Sequence, residues 1–400
     1  MTGDELDALR SSEVMHLLRE HAELASDQFM LRFGERRDLP VRAMAEQLRC
    51  RSKAASKLPS WQDADLIYDP RALEQCSHEF AARFRRSLFS GSQLVDCCAG
   101  LGVDACYLAE TFAAVTCFDR NQLLSEVLSW NAQQLGVENL RTECDDGLAA
   151  LARMDASSAD LVFADPDRRS DGGKRIIDPR HATPPVTRQL DLLQRVAPRA
   201  AFKLAPGTDH AALREAFPGL TDIYAVGVRG ECKELLACCA WDHSGPPTLH
   251  ALSLDASGTP QWQISSTAPK PLPAAQAEPG SWFTDPDAAI VRAGLVGDLA
   301  AQHGLHPIHP EVAFLTGEHI PDDFPGRRGR VLAHGRYKTK GLRTELRRRS
   351  IKHANISRRH FPYDPSEVQR KLGIKGGGTH DIYLYRDVDE HPSWVLAERQ

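Results

Sequence analysis

Residues 94–109 read L-V-D-C-C-A-G-L-G-V-D-A-C-Y-L-A, and residues 112–119 read F-A-A-V-T-C-F-D. Each apolar run ends in an acid, Asp96 in the first and Asp119 in the second. The two apolar runs indicate two strands. The small-residue loop and a helical segment that begins at Asp104 lie between them. We interpret the rest of the chain as what surrounds a ligand held at this unit.

The loop between the two strands is built from small residues, Ala99, Gly100 and Gly102. Glycine lets a ligand approach the backbone without a clash at Cβ. Asp119, at the tip of the second strand, is placed to bind the two hydroxyls of a ribose. A dinucleotide fingerprint requires a third glycine, but Ala105 occupies that position. The loop therefore predicts a nucleoside-like cofactor other than a dinucleotide.

Two acids flank this loop, Asp96 before it and Asp104 after it. Carboxylates repel a pyrophosphate, which prefers an open helix N-terminus. They attract a ligand that carries an ammonium and a sulfonium. This charge pattern disfavours NAD and favours S-adenosylmethionine.

Length and composition place the chain among folded, multidomain proteins. It has 400 residues, 42% hydrophobic and 26% charged, with a formal net charge of −5. The ten cysteines form no C-x-x-C motif and no cluster with zinc spacing, so we predict no metal site and a reducing, cytoplasmic setting. We expect no signal peptide and no membrane span, because no apolar run approaches about 20 residues. The oligomeric state cannot be predicted.

Composition and hydrophobic periodicity change along the chain and divide it into five predicted parts. A helical pattern comes first, strands alternating with helices follow, and a Pro-rich stretch precedes a basic C-terminal region. We predict an α/β protein whose central domain is a Rossmann-like, doubly wound sheet, flanked by a helical N-terminal domain and α+β C-terminal parts. The predicted domains are helical 1–89, central 90–265, linker 266–283, α+β 284–326 and basic 327–400.

Acids follow the apolar runs of four predicted strands in the central domain: Asp96, Asp119, Asp146 (or its neighbour Asp145) and Asp165. Ligands of open α/β sheets bind at the carboxyl ends of the strands. The regular succession of these acids is a stronger signal than the glycine loop alone, and it predicts one cofactor site at that edge.

This central domain resembles a class I S-adenosylmethionine-dependent methyltransferase. V-D-C-C-A-G-L-G is similar to the family's first motif, with Cys98 where a glycine usually stands. The C-terminal stretches A-N-I-S-R-R-H-F-P and K-L-G-I-K-G-G-G-T-H-D-I-Y-L resemble the THUMP-like domain of a bacterial methyltransferase family. The segment that begins T-D-P-D-A-A-I-V-R-A-G resembles the small ferredoxin-like domain of the same family, which implies that fold for residues 284–326. The resemblance implies S-adenosyl-L-methionine as cofactor and these binding residues: Asp96, Ala99, Gly100, Gly102, Asp119, Arg120, Asp146 and Asp165.

The fourth strand ends in D-P-D-R-R, residues 165–169. Methyltransferases that act on exocyclic amines carry D/N-P-P-Y/F there, with an aromatic residue under the base. Here arginines replace the aromatic residue, and arginine both stacks on bases and pairs with phosphate. We predict that Asp165 and Pro166 orient the methyl acceptor, with Arg168 and Lys203 assisting. A structural alternative is that the arginines pair with acids of their own loop.

A second pattern points to ribose hydroxyls as acceptors. Asp165, Lys203 and Glu234 fall on successive strands, and one group of RNA methyltransferases uses a Lys-Asp-Lys-Glu set. No lysine stands upstream, only Arg83 and its neighbours Arg85 and Arg86, which we interpret as a solvated helix face. Glu234 is expected to pair with nearby charges or with solvent.

The C-terminal basic segment, residues 327–375, carries sixteen Lys and Arg against three Asp and Glu. That excess of thirteen positive charges contrasts with −18 on the remaining residues. Such polarity orients a protein on a phosphate backbone, although a solvated helix is the alternative. We predict RNA contacts from Arg336, Lys338, Lys340, Arg343, Arg347, Arg348, Lys352, Arg358 and Arg359.

The sequence as a whole predicts a cytoplasmic S-adenosylmethionine-dependent methyltransferase that acts on structured RNA, tRNA or rRNA. Two alternatives remain open. One is a methyltransferase of a small molecule or protein. The other is a catalytically silent RNA-binding protein that retains the cofactor fold.

Overall fold

The structure is a computed structural model that describes residues 1–166 and 177–400. These residues form two compact units. The first comprises residues 1–223, 233–247 and 254–261, and the second comprises residues 224–232, 248–253 and 262–400. In the described parts of the chain, no helix is both long and apolar enough to cross a membrane.

Helices dominate the N-terminal part and alternate with strands after it. The α-helices are α1 (Gly3–Leu9), α2 (Ser12–Glu20), α3 (Ser26–Phe33), α4 (Val41–Lys57), α5 (Pro70–Gln75), α6 (Glu79–Leu88), α7 (Val103–Leu108), α8 (Gln122–Gln134), α9 (Gly147–Arg153), α10 (Leu190–Val196), α11 (His210–Ala216), α12 (Ala288–Ala293), α13 (Val296–His303), α14 (Thr339–Arg348) and α15 (Pro365–Leu372).

The strands occupy the remaining regular segments. They are β1 (Gly91–Asp96), β2 (Phe112–Asp119), β3 (Leu140–Cys144), β4 (Leu161–Ala164), β5 (Arg199–Leu204), β6 (Leu220–Val228), β7 (Glu231–Ala240), β8 (Thr248–Leu254), β9 (Pro260–Ser266), β10 (Trp282–Pro286), β11 (His306–His309), β12 (Val312–Gly317), β13 (Gly326–Arg336), β14 (Asn355–Arg358), β15 (His380–Arg386) and β16 (Pro392–Arg399).

The first sheet has the strand order β3-β2-β1-β4-β5-β7-β6-β8-β9. Strands β3, β2, β1, β4 and β5 pair in parallel, and β7 runs antiparallel to β5. The chain moves outward from β1 to β3 and then returns to add β4 on the other side of β1. This reversal opens a crevice at the carboxyl ends of β1 and β4, where ligands of such sheets bind. The predicted doubly wound α/β fold is confirmed.

The helical N-terminal segment belongs to the same compact unit as the strands that follow it. Asn131 of α8 joins it to the sheet: its amide accepts from the Ile67 N–H at 3.0 Å and donates to the Ile67 carbonyl at 2.8 Å. The indole of Trp130 donates to the Asp65 carbonyl at 2.8 Å. The two Asn131 bonds are buried and attach the loop before α5 firmly, because breaking either one leaves a desolvated polar group.

The second unit contains a seven-stranded sheet in the order β11-β12-β10-β13-β16-β15-β14. Alternate residues of β15 point to opposite faces, so that Ile382 and Leu384 join one core while Tyr383 and Tyr385 join another. Helices α14 and α15 cover the first face with their apolar side chains. The predicted ferredoxin-like and basic segments both contribute strands to this sheet.

Candidate cofactor and acceptor site

The glycine loop after β1 uses its two glycines differently. Gly100 has φ +56°, and a Cβ there would meet nothing within 4 Å, so its backbone is open to a ligand. Gly102 has φ +76°, and a Cβ there would lie 1.9 Å from Cδ1 of Leu128 in α8. The prediction that glycine allows close approach therefore fits Gly100, whereas Gly102 allows α8 to pack against the loop. The N–H of Gly102 donates to the Ala99 carbonyl at 2.8 Å and closes the turn.

Asp96, at the end of β1, is 2% exposed. Its carboxylate accepts a hydrogen bond from the Cys98 N–H at 3.1 Å. Burial raises the pKa of Asp96 well above its ordinary value, and the carboxylates of Asp104, Asp165 and Asp119 raise it further. The structure thus gathers the acids of separate strands close enough to interact electrostatically. A cationic ligand group at this place would favour the ionised form of Asp96.

The other predicted cofactor residues lie along the same edge. Asp119 accepts from the N–H of Gly100 at 3.0 Å and of Asn121 at 2.9 Å, so its carboxylate is held beside the loop. Asp146 caps α9, accepting from two N–H groups of its first turn at 3.0 Å each. Arg120 is exposed. Asp119 and Asp146 are thus oriented by backbone, independently of other charges.

Asp165 follows β4 and is paired with the ammonium of Lys203 from β5. Lys203 is 2% exposed, and its Nζ also donates to Oγ of Ser77 at 2.9 Å. The Asp165 N–H donates to Sγ of Cys98 at 3.2 Å, which ties the end of β4 to the glycine loop. Pro166 is buried. Two of the predicted catalytic residues, Asp165 and Lys203, are therefore in direct contact.

Ser77 also connects Lys203 to a second buried ion pair. Its hydroxyl donates to Asp104 Oδ2 at 2.6 Å. The other oxygen of Asp104 accepts from Arg85 Nε at 2.8 Å, and Nη1 of Arg85 pairs with Glu234 of β7. Arg85 is completely buried. Together with Asp165 and Lys203, these side chains form a connected buried charge layer: Ser77, Arg85, Asp104, Asp165, Lys203 and Glu234.

The pKa directions show which carboxylates this layer stabilises as ions. Burial alone would raise the pKa of Asp104, but Arg85, Lys203 and Ser77 hold it below its ordinary value. Burial raises the pKa of Glu234, and the attraction of Arg85 and Lys203 offsets only part of that effect. Burial would lower the pKa of Arg85, but Asp104 and Glu234 raise it above its ordinary value, so Arg85 stays charged.

The formal charge of the layer and its neighbour Asp96 suits a cation. Four carboxyl groups and two cationic side chains make up this set: Asp96, Asp104, Asp165, Glu234, Arg85 and Lys203. Because the pKa of Asp96 and the pKa of Glu234 are raised, a positively charged ligand group beside them would favour their ionised forms. The open backbone at Gly100 and this charge balance both fit a cofactor that carries a sulfonium and an ammonium.

Several sequence interpretations are corrected by these contacts. Arg85 is not on a solvated helix face, because it is completely buried. Glu234 is also buried, and it pairs with Arg85, a residue far from it in the sequence. Asp104 faces Arg85 and Ser77 rather than the loop. Helical spacing carried a signal for Arg85, which lies three and four residues after Ala82 and Ala81, both buried. No local pattern marked Ser77. Arg168 lies outside the described residues.

Most of the predicted RNA-binding side chains are on the surface of the second unit. The exposed ones are Arg336, Lys338, Lys340, Arg347, Arg348, Lys352 and Arg358. Their apolar neighbours Leu342 and Leu346 lie in the core beneath α14. In residues 1–166 and 177–400, no carboxylate lies within ion-pair distance of Lys340 or Arg347. This part of α14 is available to a phosphate backbone.

Two predicted RNA-binding residues have structural contacts instead. Arg359 pairs with Asp285 at 2.7 Å, and its guanidinium lies 5.2 Å from the ring centroid of Phe314. Arg343 donates to the Lys371 carbonyl and links α14 to the end of α15. A phosphate would have to compete with these contacts.

Comparison with known proteins agrees with the two-part architecture. Residues 326–399 match the family model described as THUMP domain-like. An S-adenosylmethionine-dependent methyltransferase of Mycobacterium tuberculosis strain CDC 1551 / Oshkosh, itself uncharacterized, is 28% identical over 364 residues, which is 89% of this chain and 94% of the relative. A protein of the same description from strain H37Rv matches to the same extent, at 28% identity over 364 residues.

The whole fold also has a counterpart among solved structures. A crystal structure from Porphyromonas gingivalis W83, of a protein provisionally described as a methyltransferase, has a TM-score of 0.83 and covers 100% of both chains at 21% identity. At this identity the likeness establishes the fold. The predicted resemblance to methyltransferases with a THUMP-like C-terminal domain is confirmed.

Proposed function

We propose that this chain, a methyltransferase fold followed by a THUMP-like domain, transfers a methyl group from S-adenosylmethionine to structured RNA, tRNA or rRNA. The observation that carries the proposal is the contact of the buried Lys203 ammonium with the partly exposed Asp165 carboxylate at the carboxyl edge of the sheet. A fixed ion pair there, beside the open loop backbone at Gly100, suits the positioning of a methyl acceptor.

The cofactor assignment is supported by the charge of the site and by the curated relatives, which are described as S-adenosylmethionine-dependent methyltransferases. Asp96 would hold the ammonium of the methionine part, and Asp119 the ribose hydroxyls. Asp146 would lie at the adenine. When bound, S-adenosylmethionine supplies an electrophilic methyl group.

The acceptor is oriented by Asp165 and Lys203 in this proposal. An acceptor that loses a proton during transfer can pass it to the Asp165 carboxylate, while Lys203 stays beside that group as a counter-charge. Ser77, which contacts both Lys203 and Asp104, keeps the ammonium in place. These residues therefore combine alignment of the acceptor with removal of its proton.

A ribose hydroxyl is the acceptor that we favour over an exocyclic amine. Asp165, Lys203 and Glu234 lie in one connected layer, in which Arg85, an upstream residue, pairs with Glu234. No aromatic residue follows Asp165-Pro166 in the sequence, so the usual platform for a base is missing. Mass spectrometry of nucleosides from cells with and without the gene would distinguish the two, because a ribose-methylated nucleoside keeps its unmodified base.

The RNA assignment is supported by the exposed cations of α14 and by the THUMP domain-like match. The cysteines support a cytoplasmic setting, because all ten are free.

The direct test is methyl transfer from labelled S-adenosylmethionine to bulk RNA. Asp165→Asn is expected to lower the rate by about 10²-fold or more, because it removes the proton acceptor and the partner of Lys203. The matched control is Asp38→Asn, which alters an exposed aspartate that pairs with Arg36. Equal rates for wild type and Asp165→Asn would refute the role of Asp165. Transfer to protein or small molecules but not to RNA would support the first alternative function, and RNA binding without transfer would support the second.

A further inference from the structure

The second unit has an open pocket whose lining contains no residue of α14. It is lined by Arg358, His360, Phe361, Pro362 and Arg386. Strands β14 and β15 are parallel and adjacent, so Arg358 and Arg386 both lie at the carboxyl ends of their strands. Carboxyl ends of parallel strands are common ligand sites in open sheets. Of the lining residues, only Arg358 was among the RNA contacts predicted from the sequence.

The guanidinium of Arg358 is held by backbone. Its Nη1 donates to the carbonyls of Phe361 and Tyr363, each at 3.3 Å. Its Nη2 lies 2.7 Å from Oδ1 of Asp364, a carboxylate that is 67% exposed. An exposed counter-ion stabilises a salt bridge only weakly, so a phosphate can replace Asp364 while the carbonyls keep the guanidinium in place.

Arg386, the second arginine of the pocket, is also held by a backbone carbonyl. Its Nη1 donates to the Glu390 carbonyl at 2.8 Å, and its Nε lies 3.9 Å from the carboxylate of the same residue. That carboxylate is also 2.9 Å from Nε2 of His309, which is buried. A planar guanidinium has five N–H donors. Within the described residues, Nη1 makes the hydrogen bond and Nε only faces the carboxylate at 3.9 Å, so Nη2 is available to an anion.

The backbone is strained at His360, two residues after Arg358. His360 has φ +51°, a conformation that residues other than glycine seldom adopt. Its ring is about half exposed, and Nδ1 lies 3.7 Å from the Glu311 carboxylate. Strained residues that surrounding structure holds in place are concentrated at ligand sites. Here the strain places an imidazole beside two guanidinium groups.

An aromatic surface adjoins the arginines. The Tyr363 side chain is 40% exposed, although most large apolar side chains nearby are in the core. Its ring centroid is 5.9 Å from that of Phe361 and 6.0 Å from that of Tyr337, and Lys371 Nζ lies 4.8 Å from it. A rigid aromatic ring beside fixed cations is the combination that binds a base and its phosphate.

We propose that this pocket binds one nucleotide of a single-stranded RNA segment, with the phosphate between Arg358 and Arg386 and the base against Tyr363. The inference rests on the proposed function only in taking RNA as the partner. It adds a second point of attachment in the second unit, which would fix the register of the RNA strand rather than only attract it.

The test is fluorescence anisotropy of a labelled short single-stranded RNA with the full-length chain, between about 50 and 200 mM salt. Arg358→Gln and Arg386→Gln are each expected to reduce the slope of log affinity against log salt by about 0.7, which is one phosphate contact on a single strand. Tyr363→Ala is expected to weaken binding about tenfold. Arg386→Lys keeps the charge and is expected to keep the slope.

The control is Arg141→Gln, which removes an exposed arginine of the first unit that also pairs with a carboxylate, Glu143. Thermal unfolding of each variant shows whether the fold is retained. A slope unchanged in the Arg358→Gln, Arg386→Gln double variant, but reduced by Lys340→Gln, would overturn the pocket and leave RNA as the partner. No salt-dependent RNA binding by the wild type would overturn both.

Two further probes distinguish the source of the ligand chemistry. Adenosine monophosphate is expected to compete with the RNA only weakly. Strong competition by that mononucleotide would show a free nucleotide site and overturn the assignment to a strand. Tight binding of poly-glutamate, lost in the same variants, would identify an acidic protein as the partner instead.

Discussion

The buried charge layer of the first unit and the basic segment of the second unit use the same residue types in opposite environments. Arg85 is fully buried and contacts two carboxylates, whereas Arg347 is exposed and has no carboxylate partner in the described parts of the chain. Water screens the exposed charges, so they act at a distance on a polyanion. The buried charges are unscreened, so each depends on its neighbours for the stability of its ionised form.

This contrast predicts that similar substitutions have different consequences in the two regions. In the buried layer, loss of one charge should change folding and chemistry. At exposed positions of the basic segment without a carboxylate partner, it should change only the binding of an anionic partner.

The largest change in stability is expected for Arg85→Met. This substitution leaves Asp104 and Glu234 buried without their cation, which should lower the free energy of unfolding by about 3–5 kcal/mol. The control is Arg86→Met on the same helix, where the arginine pairs with Glu110 at the surface. That change should cost about 1 kcal/mol or less. Urea unfolding measures both, and equal costs would show that Arg85 is not sealed from water in solution.

The next effect concerns Asp96, whose raised pKa makes its ionisation unfavourable in the folded state. For a carboxyl group with a raised folded pKa, the free energy of unfolding falls as pH rises from the ordinary value of 3.8 through the raised value. Asp96→Asn should remove this fall. The variant should then be more stable than wild type at neutral pH.

Urea unfolding at several pH values between about 5 and 8 tests this prediction. Asp38→Asn serves as control, because Arg36 lowers the pKa of Asp38 to about 2, well below that range. Asp104, whose pKa is lowered, keeps its stabilising contribution throughout the range and loses it only as pH falls through its lowered pKa. Asp96→Asn should also weaken binding of S-adenosylmethionine, measured by calorimetry. A parallel pH profile for wild type and variant would contradict the cost assigned to Asp96.

The smallest effect on stability is expected for Lys340→Gln combined with Arg347→Gln. Both side chains are exposed, so the free energy of unfolding should change by less than about 0.5 kcal/mol. The salt slope of binding to structured RNA should nevertheless fall by about 0.9 for each lost contact with duplex phosphate. An unchanged slope would exclude this part of α14 from the interface.

Arg359→Gln sharpens the contrast within the basic segment itself. Its guanidinium pairs with Asp285 and lies over Phe314, so its loss should cost about 1 kcal/mol of stability with little change in the salt slope. A reduced slope without loss of stability would show that Arg359 contacts RNA rather than its neighbours. Chemical unfolding and RNA titration of the same preparation separate the two outcomes.

The sequence by itself determined the local features. Apolar runs that end in Asp96, Asp119 and Asp165 identify parallel strands and their functional edge, because the period and length of a strand are local properties. The excess of cations between residues 327 and 375 needs no structure to be seen. The fold class and the resemblance to a methyltransferase with a THUMP-like domain follow from such patterns.

Only the tertiary structure decided which charges meet. Arg85 and Glu234 are 149 positions apart, and Lys203 and Ser77 are 126 positions apart. No local periodicity encodes a contact at that separation. Folding brings these side chains into a space from which water is excluded, where an ion is stable only beside a partner. A charged residue that looks like solvated surface in the sequence can therefore become part of a buried layer, as Arg85 does.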